Sequence, residues 1–313
     1  MTRRRPFIPP NSNVKNSAPL GILELDRFTE GSLNRWNAVS QDLDELQAVL
    51  YFSVEPEQRR LRGELLAALR LSALMNLDLN RWVRFVTYQY SLEPLSCAGS
   101  LQQIGGRFNA GAELDSGTLN PWPALYLAED YETAYREKFQ LAQSERVNGL
   151  TPQELALGPD LSHTAVFVQG CMHRVFDMTT PQSLDAVAKV FRRIKMPLRA
   201  QQLKKQLGIA SNGLTMIQTG QQLYDAVLKY NWRTLPIQFG LPTQGHILAE
   251  LIRAAGFEAI LYRSTKGPGR CLAIYPDLLD SASFVELIDT PPSAVKCPRL
   301  DEDSAYRLAA GIH

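Results

Sequence analysis

Gly-Gly-Arg-Phe-Asn occupies residues 105–109, and Ala-Leu-Tyr-Leu-Ala-Glu-Asp-Tyr-Glu-Thr-Ala-Tyr-Arg-Glu-Lys-Phe follows at 124–139 after a connection rich in Gly, Asp and Pro. Together they spell a turn carrying a cation, a short strand and a helix. Paired glycines let backbone approach a ligand closely. Leu125, Tyr126 and Leu127 form the strand. Asp130 is placed as helix N-cap, with Thr133 at N3 and Glu132 in the first turn, where the macrodipole favours negative charge. On a helix beginning near Tyr131, Ala134, Glu137 and Leu141 share one face. Glu137 therefore sits on a largely apolar stripe, within range of Tyr126 and away from the wet side assigned to Arg136 and Lys138. A carboxylate so placed must be paired, hydrated in a cleft, or used. Two readings stay open: a buried ion pair with Arg107, or a functional group.

Outward from this stretch, residues 1–20 read as a disordered tail and 21–80 as a helical N-terminal extension. In that extension Leu43, Leu46, Leu50, Leu61, Leu65, Leu69 and Leu74 recur at three- and four-residue steps, with a new helix expected at Pro56. Trp82–Tyr90 reads as a strand with Arg84 inside it, either an edge charge or a site residue. Thr164–Val168 and His173–Met178 are expected as two strands around a turn at Gly170. Residues 181–240 are amphipathic helix and the most basic portion of the chain. Gln244–Ala255 is a helix stopped by Gly256. Strands are expected at Phe257–Tyr262, Cys271–Tyr275 and Phe284–Ile288. Ser264 closes the first of these beside the Lys266-Gly267-Pro268-Gly269 turn, either as a ligand contact or as a turn serine bonded to its own backbone. A C-terminal tail is expected over 290–313.

The whole chain has 313 residues, a net charge of +1, and hydrophobic and charged fractions of 45% and 21%. These are ordinary for a globular protein, and no global field advertises nucleic acid or membrane as partner. Cys97, Cys171, Cys271 and Cys297 are scattered, as are the four histidines, so neither a disulfide framework nor a metal site is expected. No apolar run reaches the roughly 18 residues of a membrane span. Arg3, Arg4 and Arg5 lack an apolar segment behind them, so a signal peptide is not expected and the cytoplasm is the expected location. Arg59, Arg60, Arg62 and Arg70 are interleaved with leucines and Glu64 as on a solvated helix face, and direct nucleic-acid binding is not expected.

Taken together, Gly-Gly-Arg-Phe-Asn (105–109), Ala-Leu-Tyr-Leu-Ala-Glu (124–129), Glu137 and the Ala-Ala-Gly-Phe-Glu-Ala-Ile-Leu-Tyr-Arg-Ser segment ending at Ser264 resemble the RES-domain family. The resemblance runs from about Arg84 to Ile288, within a catalytic domain placed at 81–289 with a helical insertion at 181–240. It implies an α/β (α+β) fold similar to the ADP-ribosyltransferases, a mixed β core with surrounding helices. It also implies action on NAD as substrate without a metal. Such proteins are bacterial toxins that deplete NAD⁺ by hydrolysis or phosphorolysis, held inactive by a helix-turn-helix antitoxin. Arg107, Tyr126, Glu137 and Ser264 match the family's arginine, strand tyrosine, helix glutamate and late serine, and Arg84 is taken as the early arginine.

In the roles this implies, Glu137, Tyr126 and Arg107 are catalytic, and Arg84, Arg107, Tyr126 and Ser264 bind NAD. Glu137 would face a ribose that becomes cationic, the arginines would grip the diphosphate, Tyr126 would offer a ring face and a hydroxyl, and Ser264 would donate to ribose or carboxamide. The N-terminal extension, the longer 109–126 connection and the 181–240 insertion depart from compact members of the family. Alternative readings are ADP-ribosyl transfer to a macromolecule and a non-catalytic nucleotide- or partner-binding module. A homo-oligomer is also open.

Overall fold

The computed structural model describes residues 30–72, 74–114, 119–141, 163–210, 213–228, 232–291 and 293–310. The expected disordered tail at 1–20 lies outside them. The protein is mixed α/β, with a helical N-terminus. The chain divides into two compact units, one of residues 1–61 with 191–217 and the other of 62–190 with 218–313. The 181–240 insertion is thus shared between the two units.

In the first unit, α1 (Glu30–Arg60) packs against α5 (Leu198–Gln206) through buried Leu46, Ala200 and Leu203. Arg199 grips Glu45 with two hydrogen bonds of 2.6 Å. Pro56 lies inside α1. The helix expected to start there is instead its last turn, and the chain breaks only at Leu61, before α2 (Arg62–Arg70).

In the second unit, α2 is tied to α8 (Gln244–Ala254) by the Arg62–Glu250 pair, two bonds of 2.6 Å. Strand β1 (Met75–Thr87) follows α2 closely, so the helical extension expected to run to residue 80 ends at α2, and Leu74 is not helical as its place in the leucine pattern suggested. Its outer end becomes a single tight turn at Tyr88–Tyr90 instead of continuing as strand. A small hairpin, β2 (Gly105–Gly106) and β3 (Asn109–Ala110), leads to β4 (Leu125–Ala128) and α3 (Tyr131–Phe139). The expected N-cap is present: the Asp130 side chain accepts from Thr133 N at 2.8 Å. After α3 the chain runs through β5 (His163–Met178) and α4 (Asp185–Phe191), passes through α5 of the first unit, and continues with α6 (Gly220–Leu228), α7 (Thr234–Phe239) and α8. Strands β6 (Ala259–Arg263), β7 (Arg270–Ile274), β8 (Phe284–Leu287) and β9 (Arg299–Leu300), then α9 (Glu302–Ala310), complete the unit.

The large sheet has the order β1-β4-β7-β6-β5-β8-β9, and β1 also pairs with β5, so five of its strands close into a ring. Only β5–β6 is parallel; every other pairing is antiparallel. Strand alternation sends Leu125, Leu127, Leu261, Leu272 and Ile274 into one buried apolar cluster. Tyr126, Tyr262 and Cys271 line a cavity instead.

Two further expectations are corrected. β5 is one continuous strand, with Gly170 in its interior where a side chain would collide with the Phe284 carbonyl of β8. The glycine permits close strand approach there and makes no turn. Residues expected as a C-terminal tail form β9 and α9, whose Leu300, Ala305 and Leu308 belong to the main apolar cluster.

The β5, β6 and β8 junction is pinned by Glu258, whose side chain is fully buried. Its carboxylate accepts from His173 N at 2.7 Å, Arg174 N at 3.2 Å and Ser283 Oγ at 2.5 Å. Glu258→Ala strands these donors, whereas Arg174 stays partly hydrated at 36% side-chain exposure. The expected loss is therefore about 2–3 kcal/mol, the cost of unmade buried hydrogen bonds, below that of a stranded buried charge. Urea unfolding should show an earlier midpoint at unchanged slope; an unmoved midpoint would make Glu258 a spectator.

Candidate active site

The hairpin β2–β3 puts Arg107 and Phe108 at its tip, with Gly105 paired to Ala110 and Gly106 to Asn109. Gly105 is at φ +82°, in the left-handed region that favours glycine. At Gly106 a Cβ would lie 2.5 Å from the Tyr126 hydroxyl. These two positions therefore admit glycine for different reasons, one conformational and one steric.

Phe108 is clamped from all sides. Its ring is buried against Tyr262, centroids 4.8 Å apart. Its N–H donates to the Tyr126 hydroxyl at 3.0 Å. Its carbonyl accepts from Trp122 Nε1 and from Tyr275 Oη, both at 3.2 Å. The Tyr126 hydroxyl donates onward to Asn109 Oδ1 at 2.9 Å, which also takes Gly106 N–H at 2.9 Å. Burial pushes the Tyr126 phenol well up, so it stays protonated and fills both roles.

A second clamp comes from α8. Thr243 caps this helix and accepts from His246 N, while His246 Nδ1 accepts from Thr243 N at 3.3 Å. His246 Nε2 stands 2.7 Å from the Gly106 carbonyl, which can only accept, so Nε2 carries the hydrogen. Burial lowers the imidazole pKa to about 4, partly offset by that bond. Gly245 lets the Arg107 carbonyl pass, since a Cβ there would stand 2.5 Å from it.

Held in this way, Arg107 reaches a cavity of about 340 Å³ lined also by Arg84, Tyr126, Glu137, Lys138 and Arg233. Its Nη1 donates to the Val227 and Leu228 carbonyls at the end of α6, at 2.7 and 3.0 Å. The ion-pair reading of Arg107 with Glu137 is therefore replaced: Arg107 is anchored on a helix C-terminus, and burial lowers its pKa. Arg84 sits in β1, its Nη2 on the Ser96 carbonyl at 2.8 Å. Its Nη1 is buried with no hydrogen-bond partner among the described residues.

Glu137 is half-buried on α3, and its Oε1 accepts from Ser264 Oγ at 2.6 Å. Ser264 Oγ in turn accepts from Lys266 N at 3.0 Å and Gly267 N at 2.8 Å. The serine is both a turn serine and a partner of the glutamate, and its hydrogen goes to Glu137, with no second proton for a ribose. Gly267 packs this turn onto α3, where a Cβ would lie 2.5 Å from Thr133 Cα.

The geometry thus brings Arg84, Arg107, Tyr126 and Glu137 to one cavity and places Ser264 behind the carboxylate. Arg136, expected on the wet side, is buried and paired with Glu132 at 2.9 Å. Lys138, assigned to the same wet side, is exposed as expected and also lines the cavity. Trp232 and Arg233 line it too, with the Arg233 guanidinium 4.9 Å from the Trp232 ring and 3.0 Å from Gln140 Oε1. An adjacent Trp-Arg pair between two helical stretches was the available signal. For His246 it was the Thr-x-x-His spacing of a capping box. Among the described residues no group of three or more His, Cys, Asp or Glu side chains could hold a metal ion, and no helix is long and apolar enough to cross a membrane.

A mixed α/β protein with a cation-rich cavity around one carboxylate is the class this geometry defines. The RES domain family model matches residues 83–293, and the chain belongs to the RES-domain family. No curated protein matches the chain significantly. A solved structure similar to it is the crystal structure of the M. tuberculosis MbcT–MbcA toxin–antitoxin complex. That likeness has 14% identity and a TM-score of 0.39, covering 79% of this chain and 98% of that one.

His246 yields a pH prediction. Its imidazole stays neutral in the folded protein down to about pH 4, while the unfolded chain takes up a proton below about 6.5. The stabilisation is complete above pH 6.5 and is lost as pH falls toward 4, a change of about 3 kcal/mol. The stability difference between the wild type and His246→Leu should shrink by that amount between pH 7 and pH 4 in chemical denaturation. A difference independent of pH would mean that the buried imidazole does not titrate as described.

Proposed function

We propose that this protein cleaves the nicotinamide–ribose bond of NAD⁺, by hydrolysis or phosphorolysis, as the toxin of a toxin–antitoxin pair. The single observation carrying the reading is the convergence of Arg84, Arg107, Tyr126 and Glu137 on one cavity. Membership of the RES-domain family supports it, since the residues matching the family's pattern are those that converge.

Breaking the bond between nicotinamide and ribose builds positive charge on the sugar. A fixed carboxylate facing that sugar lowers the barrier, because it needs no reorganisation when the charge appears. Glu137 meets this need. Ser264 holds one carboxylate oxygen, and the other makes no hydrogen bond among the described residues. Nicotinamide departs as a neutral amide and demands no strong acid, which suits a cavity without a histidine in its lining. The diphosphate needs planar donors that stay charged; Arg84 Nη1 has no hydrogen-bond partner among the described residues, and guanidinium forks match phosphate oxygens. Tyr126, with its hydroxyl committed to the hairpin, offers its ring edge and face to the nicotinamide side.

Purified protein incubated with NAD⁺ should release nicotinamide. Glu137→Gln should lose at least about a thousandfold in turnover, within what preorganised electrostatic groups supply, and keep its unfolding midpoint. Ser264→Ala, which frees the carboxylate to rotate, should lose about tenfold to a hundredfold, within the cost of a misplaced catalytic group. Full NAD⁺ consumption by Glu137→Gln would remove the assignment. Induced in bacteria, the wild type should deplete cellular NAD⁺ and the variant should not.

A further inference from the structure

Arg84 and Lys138 approach the cavity from different elements, β1 and α3. Nη1 of Arg84 is buried and lacks a hydrogen-bond partner, and Lys138 makes no hydrogen bond or ion pair among the described residues. Arg107 and Arg233 are different: the first is bonded to the end of α6 and the second to Gln140. Arg84 Nη1 is thus a buried donor without a partner, Lys138 is an exposed cation lining the same cavity, and no carboxylate is bonded to either among the described residues; an anion entering there satisfies the first and is attracted by both. Glu137 does not fill that role, because its hydrogen bond among the described residues is to Ser264.

We propose that Lys138 and the free Nη1 of Arg84 form a phosphoryl-binding subsite on the α3 side of the cavity. The ligand class is a phosphoryl dianion, for which Arg84 supplies a fixed planar donor and Lys138 a mobile point charge. Lys138 is a binding residue here and takes no part in bond cleavage. The Lys138 ammonium, though exposed, is lowered from its ordinary pKa, first by desolvation at the cavity wall and then by the Arg84 charge. An arriving anion relieves both. The subsite rests on the NAD⁺ reading for the identity of the phosphoryl group, which there belongs to the diphosphate. Free phosphate offers the same chemistry.

Isothermal titration of the full-length protein with pyrophosphate, ADP-ribose and nicotinamide riboside tests the subsite. Arg84 also anchors the Ser96 loop and its replacement risks misfolding, so Lys138→Met and Lys138→Arg are the variants of choice. Lys138→Met should weaken pyrophosphate and ADP-ribose about tenfold each and leave nicotinamide riboside, which has no diphosphate, unchanged. Lys138→Arg should restore most of the loss. Phosphate titrated into protein saturated with ADP-ribose identifies the source. Competition assigns the subsite to the nucleotide's own diphosphate, and simultaneous binding assigns it to free phosphate. Wild-type pyrophosphate affinity in Lys138→Met, no pyrophosphate binding by the wild type, or an equal loss for nicotinamide riboside overturns the proposal. If NAD⁺ is not consumed yet pyrophosphate binding still falls in Lys138→Met, the subsite stands and the NAD⁺ reading fails.

Discussion

The peptide unit of Phe108 is the constraint on which the site depends. Its N–H and carbonyl are bonded to aromatic side chains from three places, Tyr126, Trp122 and Tyr275. A tight hairpin of two-residue strands has little intrinsic stability, and a pair of glycines lowers it further by enlarging the entropy of the unfolded chain. External hydrogen bonds from rigid, buried rings supply what the hairpin lacks. They do so at the residue next to Arg107, so the guanidinium projects from a backbone that has nowhere else to go. His246 completes the clamp on the other side by taking the Gly106 carbonyl.

Charge in the cavity is unbalanced by design of its supports. Arg107 is steadied by the carbonyls that end α6, where the macrodipole is negative, so a helix end takes the part a carboxylate would otherwise play. Among the described residues Glu137 is thereby left without an arginine partner and keeps one oxygen without a hydrogen bond. Had the two formed the buried ion pair their spacing allowed, the carboxylate would have been neutralised and, under the proposed NAD⁺ reading, of little use to a cationic sugar. Separating them, each with its own neutral partner, preserves both charges for a ligand.

Much of this was legible in the sequence. The Asp130 cap, the strand at Tyr126, the α8 helix ending before Gly256 and the late strands carry strong local signals, and the structure contains them. Legibility fails where tertiary contact overrides local pattern. The end of the extension expected to be helical to residue 80 is instead drawn into β1 by pairing with β5. Gly170 looks like a turn because strand interiors seldom hold glycine, but the reason for it lies across the sheet in Phe284. On α3 the cavity is lined by Ala134, Glu137 and the exposed Lys138, one face at three- and four-residue steps, while Arg136, expected in water, is buried beside Glu132, a burial that periodicity does not mark. The partner of Ser264 was equally hidden, being 127 residues away in sequence.

The C-terminal segment shows how far the scaffold of the site extends. The family match ends at 293, and the strand and helix that follow carry no residue of the cavity lining. Yet the Leu308 carbonyl in α9 accepts from Cys97 N at 2.7 Å, and the neighbouring Ser96 carbonyl is what holds Arg84 Nη2. Leu95, Cys97, Leu300 and Leu308 are buried in the same apolar cluster, so the helix and the loop are packed as one piece. A loop of this kind, without strand pairing of its own, would leave the Arg84 side chain free to swing out toward water, where a guanidinium is better solvated. Packing α9 over it turns that loop into a fixed acceptor. The position of Arg84, whose Nη1 is buried in the cavity wall, is thus supported by a helix beyond the family match.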